Sequence, residues 1–150
     1  MSASPGLIVC EGEPRLAILV RRFAPQLPIV EARSLALADD DLSERPASFV
    51  CIGSPWCDRP EVLLSLARWQ QAFPNAALAV MRSGIQMRET RDADYLLAGA
   101  QLVLHDFRQV PLLIRLTQRH LAEAPKAELD WRGAIEAKLP WKPIAKVRAN

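Results

Sequence analysis

A doubly wound α/β sheet, with parallel strands covered by helices on both faces, is the architecture this sequence predicts. Three observations carry it. Short apolar runs recur along the chain, stretches of helical periodicity separate them, and proline, glycine or asparagine stands at most of the joints. At 150 residues, half of them apolar, the chain has the size of one domain with a core of its own.

The first strand is Leu7 to Cys10. Pro14 then stands in the first turn of a helix, where its missing N–H is harmless, and Leu16, Leu19, Val20 and Phe23 line one helical face. Pro25 ends that helix. Leu27 to Glu31 forms a second strand, followed by a weaker helix over Ser34 to Leu42 and a polar turn through Ser43, Glu44, Arg45 and Pro46. Ser48 to Ile52 is the central strand, its unbroken apolar character suited to burial on both faces.

Asp58 and Glu61 have the form of a capping box, with Pro60 between them, and Val62, Leu66, Trp69 and Phe73 supply the stripe of the helix they start. Pro74 and Asn75 stop it. Ala76 to Met81 is the fourth strand, and a polar loop from Arg82 to Glu89 leads to a helix over Asp92 to Ala98, closed by Gly99. Gln101 to Leu104 is the fifth strand. Asp106 is placed to cap a final helix from Val110 to Ala122, with Pro111 in its first turn.

Right-handed crossovers arrange five such strands in the order 2-1-3-4-5, the flavodoxin-like sheet, with a crevice at the carboxyl ends of the first and third strands. Leu96, Val103 and Leu113 are expected in one core, because the last strand lies sandwiched between helices. The α/β domain is expected over residues 1–125 and a short helical, basic tail over 126–150.

A net charge of +2 gives no bulk electrostatic argument for a nucleic-acid or membrane partner. Cys10 and Cys51 fall inside apolar runs, where a thiol behaves as a small buried hydrophobe, and the odd cysteine count of three points to a reducing cytoplasm. The first six residues carry no export signal, and no apolar run approaches the roughly 18 residues of a membrane span. A soluble cytoplasmic protein is expected.

Glu13-Pro14 after an acidic residue resembles the opening of response-regulator receiver domains. Leu96-Leu97-Ala98-Gly99-Ala100, followed by Leu102 to Phe107, resembles their alanine-glycine-alanine turn, last strand and lysine-proline-phenylalanine end. The resemblance spans residues 7–122. It implies a pocket in which two acids after the first strand and an aspartate ending the third hold magnesium and take a phosphoryl group.

Carried over by position, that pocket falls on Glu11 and Gly12 for the acid pair, with Glu13 beside them. The acceptor falls on Gly53, or on Ser54 with a shift of one residue; the hydroxyl after the fourth strand falls on Ser83, and the lysine on His105. Glycine carries no nucleophile, and imidazole is a poor substitute for a permanent ammonium near phosphate. The expectation is a degenerate receiver: a signalling or protein-interaction module that is non-catalytic and independent of phosphorylation, with no cofactor and no metal. Receiver relatives imply a docking or homodimer face made by the fourth helix, fifth strand and fifth helix.

Two rivals use other residues. A small α/β enzyme would employ Cys57 and His105 with Glu11 and Glu13 at the same crevice, Cys57 standing near Arg59 and a helix start, a setting that activates thiols. Cys10, Cys51, Cys57 and His105 together have the chemistry of a zinc set but not its close spacing. An interaction protein would act through the tail, where Trp131, Ala134, Ile135 and Leu139 form a helical stripe expected to pack on the domain, followed by Trp141 and several lysines. Isolated Gly12, Gly53 and Gly84 form no phosphate-cradling loop.

Overall fold

The computed structural model describes residues 3–82 and 91–137, with side chains in the last helix described through residue 123. Five parallel strands, β1 (Leu7–Cys10), β2 (Ile29–Ala32), β3 (Phe49–Ile52), β4 (Ala77–Met81) and β5 (Leu102–Leu104), lie in the order β2-β1-β3-β4-β5. The register puts Cys10 beside Ala32 on one side and Ile52 on the other, so the ends of β1 and β3 are level. Five helices connect or follow the strands: α1 (Leu16–Phe23), α2 (Leu35–Glu44), α3 (Glu61–Ala72), α4 (Asp92–Ala98) and α5 (Val110–Ala137). This is the flavodoxin-like sheet that the alternation of elements predicts.

Every residue of β1 and β3 is buried, which is why both read as continuous apolar runs. Successive side chains leave a strand on opposite faces, and the core therefore divides in two. Leu7, Val9, Phe49 and Cys51 face α1 and α5 through Leu16, Val20, Val110 and Leu113. Ile8, Cys10, Val50 and Ile52 face α2, α3 and α4 through Leu42, Leu66, Trp69 and Tyr95.

That division corrects the expected grouping of Leu96, Val103 and Leu113. Leu113 belongs to the first cluster, Val103 packs against the second, and Leu96 is exposed on the outside of α4. Phe23 also departs from its expected stripe and lies exposed at the end of α1.

Three helix ends differ from the sequence reading. Ser34 caps α2 as an N-cap serine should, accepting from the Leu37 amide at 3.1 Å. At α3, however, Asp58 closes a 3-10 turn over Trp56–Asp58, and Pro60 occupies the N-cap position with no side-chain cap. Backbone carbonyls of Arg59 and Pro60 take the Val62 and Leu63 amides instead, so the expected capping box is absent. Pro14 lies ahead of α1 rather than in its first turn, and α5 runs unbroken through Pro125 to Ala137 instead of ending at Ala122. Gly99 does close α4, at φ 123°.

No helix among the described residues is long and apolar enough to cross a membrane.

Candidate functional site

A cleft of about 750 Å³ opens at the carboxyl ends of the strands, where the fold gathers four loops. Glu11, Gly12, Glu13 and Arg15 line it from the β1–α1 loop; Gly53, Ser54 and Pro55 follow from β3, Met81 and Arg82 from β4, and His105, Asp106 and Phe107 from β5. Six of the seven residues singled out by position are therefore together. Ser83, the seventh, lies outside the described residues.

Glu11 lines the cleft yet is only 3% exposed, its carboxylate turned to the start of α1. Its Oε1 accepts from the Leu16 amide at 2.9 Å and its Oε2 from the Ala17 amide at 3.0 Å. The carboxylate thereby satisfies two of the first amides of α1, at the positive end of the helix dipole. This is what moves the helix start past Pro14.

Gly12 donates its amide to the Ser54 carbonyl at 2.9 Å. A Cβ at this position would meet the Pro55 ring at 2.8 Å, too close for any side chain to be added without movement of the ring. Glu13 is turned outward and pairs with Arg15 at 3.4 Å, both side chains mostly exposed. Gly53 donates to the Cys10 carbonyl at 2.7 Å and accepts from the Cys57 amide, which holds the floor of the cleft to β1.

His105 stands at the end of β5 with its backbone amide donating to Gln109 Oε1 at 2.7 Å. Its Nε2 donates to Asp92 Oδ2 at 2.7 Å, and the other carboxylate oxygen accepts from Arg82 Nη1 at 2.6 Å. Burial alone would raise the Asp92 carboxyl, but the hydrogen bonds from His105 and Arg82 outweigh it and hold the group below the ordinary carboxylate value. Sequence reasoning missed Arg82 and Asp92. An arginine just past a strand and an acid in the first turn of a helix are each ordinary, and nothing in their spacing shows that they meet.

The residues of the enzyme reading do not meet in this way. Cys57 is buried within the second core cluster, beside Cys10, Val62 and Tyr95, and does not line the cleft. Its carbonyl accepts from the Tyr95 hydroxyl at 2.7 Å, and its Sγ lies 3.6 Å from Asp58 Oδ1. His105 faces Asp92. Cys10, Cys51, Cys57 and His105 form no metal-binding group, and no cluster of three such ligands occurs among the described residues. Burial pushes the Cys10 thiol up to about 12, with the Glu11 charge adding to it, and raises Cys51 for the same reasons.

Trp131 and Ile135 lie on the helical backbone of α5, with side chains outside the described set; Leu139 and Trp141 lie outside the described residues.

No family model matches the chain, and no curated protein matches it. Two solved structures share its fold. A response regulator from Thermotoga maritima superimposes with a TM-score of 0.65 at 15% identity, covering 80% of this chain and 99% of its own. A putative pilus assembly-related protein from Burkholderia pseudomallei does so with a TM-score of 0.58 at 15% identity, covering 82% of this chain and 93% of its own. At that identity the likeness is one of fold: the chain is built as a receiver-like five-stranded domain.

Proposed function

We propose that this protein is a receiver-like signalling or interaction module that works without aspartyl phosphorylation. The observation that carries the proposal is the state of the three positions on which receiver chemistry would depend. Glu11 has both carboxylate oxygens committed to the amides of α1, Gly12 is closed over by Pro55, and Gly53 has no side chain. A hard divalent cation needs several oxygen ligands, and of these three residues only Glu11 carries a side-chain carboxylate, whose oxygens already accept the amides of α1. Among the described residues, Cys57 does not line the cleft and no hydrogen bond joins Ser54 to a base, which weighs against the enzyme reading.

We take the partner to be a protein, with self-association through α4, β5 and α5 as the working arrangement. Leu96 and Leu97 of α4, 48% and 84% accessible, supply exposed apolar surface that supports this reading. Sedimentation of the purified chain, with and without acetyl phosphate and magnesium, tests the proposal. The assembly state is expected to be the same in both. A phosphate-dependent change in association would overturn it.

A further inference from the structure

One cluster is left unused by that reading: the bridge that Asp92 makes between the ends of two strands. Asp92 opens α4, Arg82 follows β4 and His105 follows β5, and the two hydrogen bonds to the carboxylate are 2.6 and 2.7 Å long. The Arg82 guanidinium also lies 5.4 Å from the centre of the Tyr95 ring, while the Tyr95 hydroxyl holds α4 to the Cys57 carbonyl. With only seven residues, α4 is too short to be stable by itself, so side-chain ties of this kind fix where it sits.

Of the side-chain types in the bridge, imidazole is the one that ordinarily changes charge between about pH 5 and 8. The other charged residues near it among the described ones are already matched. Glu13 pairs with Arg15 within the β1–α1 loop, Asp106 faces Arg108 at 3.9 Å, and the Glu11 carboxylate is held by backbone amides. Asp92 is the acid that touches the imidazole, and with Arg82 bound to it, it remains a carboxylate throughout that range.

We propose that the Arg82–Asp92–His105 bridge is a proton-sensitive clamp on α4. With His105 protonated, a charge-assisted bond holds the first turn of α4 onto the ends of β4 and β5. When His105 loses its proton, the bond to the Asp92 carboxylate keeps its geometry but loses the attraction of the imidazolium charge, and α4 with its Leu96–Leu97 edge gains freedom. The clamp itself stands on the geometry alone; its consequence for docking rests on the module reading above.

Amide hydrogen exchange of the full chain across about pH 5 to 8, corrected for intrinsic rates, tests the clamp. Because the His105 and Asp92 side chains are about half exposed, the expected change in α4 protection is modest, a loss of about two- to fivefold as the pH rises. His105→Gln should remove the pH dependence, Asp92→Asn should lower α4 protection at every pH, and the amides of β1 and β3 should serve as an unchanged reference. Protection of α4 that does not vary with pH, or that varies equally in His105→Gln, would overturn the proposal. Neither result depends on acetyl phosphate, so the clamp and the module reading can fail separately.

Discussion

Gly12 and Pro55 fit only as a pair: a Cβ on Gly12 would stand 2.8 Å from Pro55 Cδ, inside the contact distance of two carbons. The ring atom belongs to a side chain closed onto its own backbone and cannot swing aside. The site that receiver resemblance would fill with an acid is therefore occupied by a neighbour from the next loop.

Gly12→Ala should destabilise the domain by about 1–3 kcal/mol, the usual cost of overpacking a tight site. In a Pro55→Ala background the same change should cost less, because the Cδ it meets is gone. A double-mutant cycle by chemical denaturation measures the coupling, and strict additivity would show that the two residues do not compete for space.

Glu11 is a structural residue here, so its replacement should register as lost stability. Glu11→Gln keeps one acceptor and turns an amide N–H₂ toward the N-terminus of α1, leaving one buried donor unmatched at a cost of about 1–3 kcal/mol. Glu11→Ala leaves both amides open and should cost at least as much. Urea unfolding midpoints, read with unchanged slopes, give the comparison.

Two surface acids contribute to the response to acid. Hydrogen bonding to Arg21, with Arg33 beyond it, lowers Glu31, and the His105 and Arg82 bonds lower Asp92 against the opposing effect of burial. A carboxyl depressed in the folded state binds its proton less readily there than in the unfolded chain. Its stabilisation is present above the unfolded value near 4 and is lost as pH falls through the lower folded value. Melting temperature should decline below about pH 4, and Glu31→Gln should flatten part of that decline.

The buried thiols give the opposite sign. Cys10 holds its proton up to about 12 when folded, whereas an unfolded thiol releases it near 8.5, so stability should fall as pH rises between those values. At neutral pH the practical consequence is inertness. Iodoacetamide should leave Cys10 and Cys51 unmodified in the native protein and label both in denaturant, as read by peptide mass.

The fold was legible because its signals are local. Continuous apolar runs at β1, β3 and β4 reported burial on both faces, and Gly99, Ser34 and Pro25 punctuated the helices as their backbone chemistry requires. What the chain concealed depends on distant partners. Val103 and Leu113 are close in sequence but reach different clusters, because the sheet separates its faces, while Leu96 sits on the outer side of α4. Glu11 was recognisable as an acid in the right place, yet only the folded loop shows that α1 has claimed both its oxygens. The Asp58–Glu61 pattern has the spacing of a capping box, but the 3-10 turn before Pro60 left it no role at the start of α3.

Intact mass after incubation with acetyl phosphate and magnesium tests the central claim most directly, with Gly53→Asp measured beside the parent. A Cβ at Gly53 meets nothing closer than Glu11 Cβ at 3.6 Å, so the position has room for a side chain to begin, and aspartate there supplies the missing nucleophile beside the Glu11 carboxylate. The account predicts that the parent gains no phosphoryl group. It predicts the same of Gly53→Asp, because Gly12 and Glu11 still offer no cation site. A stoichiometric, hydroxylamine-labile phosphoryl adduct on the parent chain would contradict it.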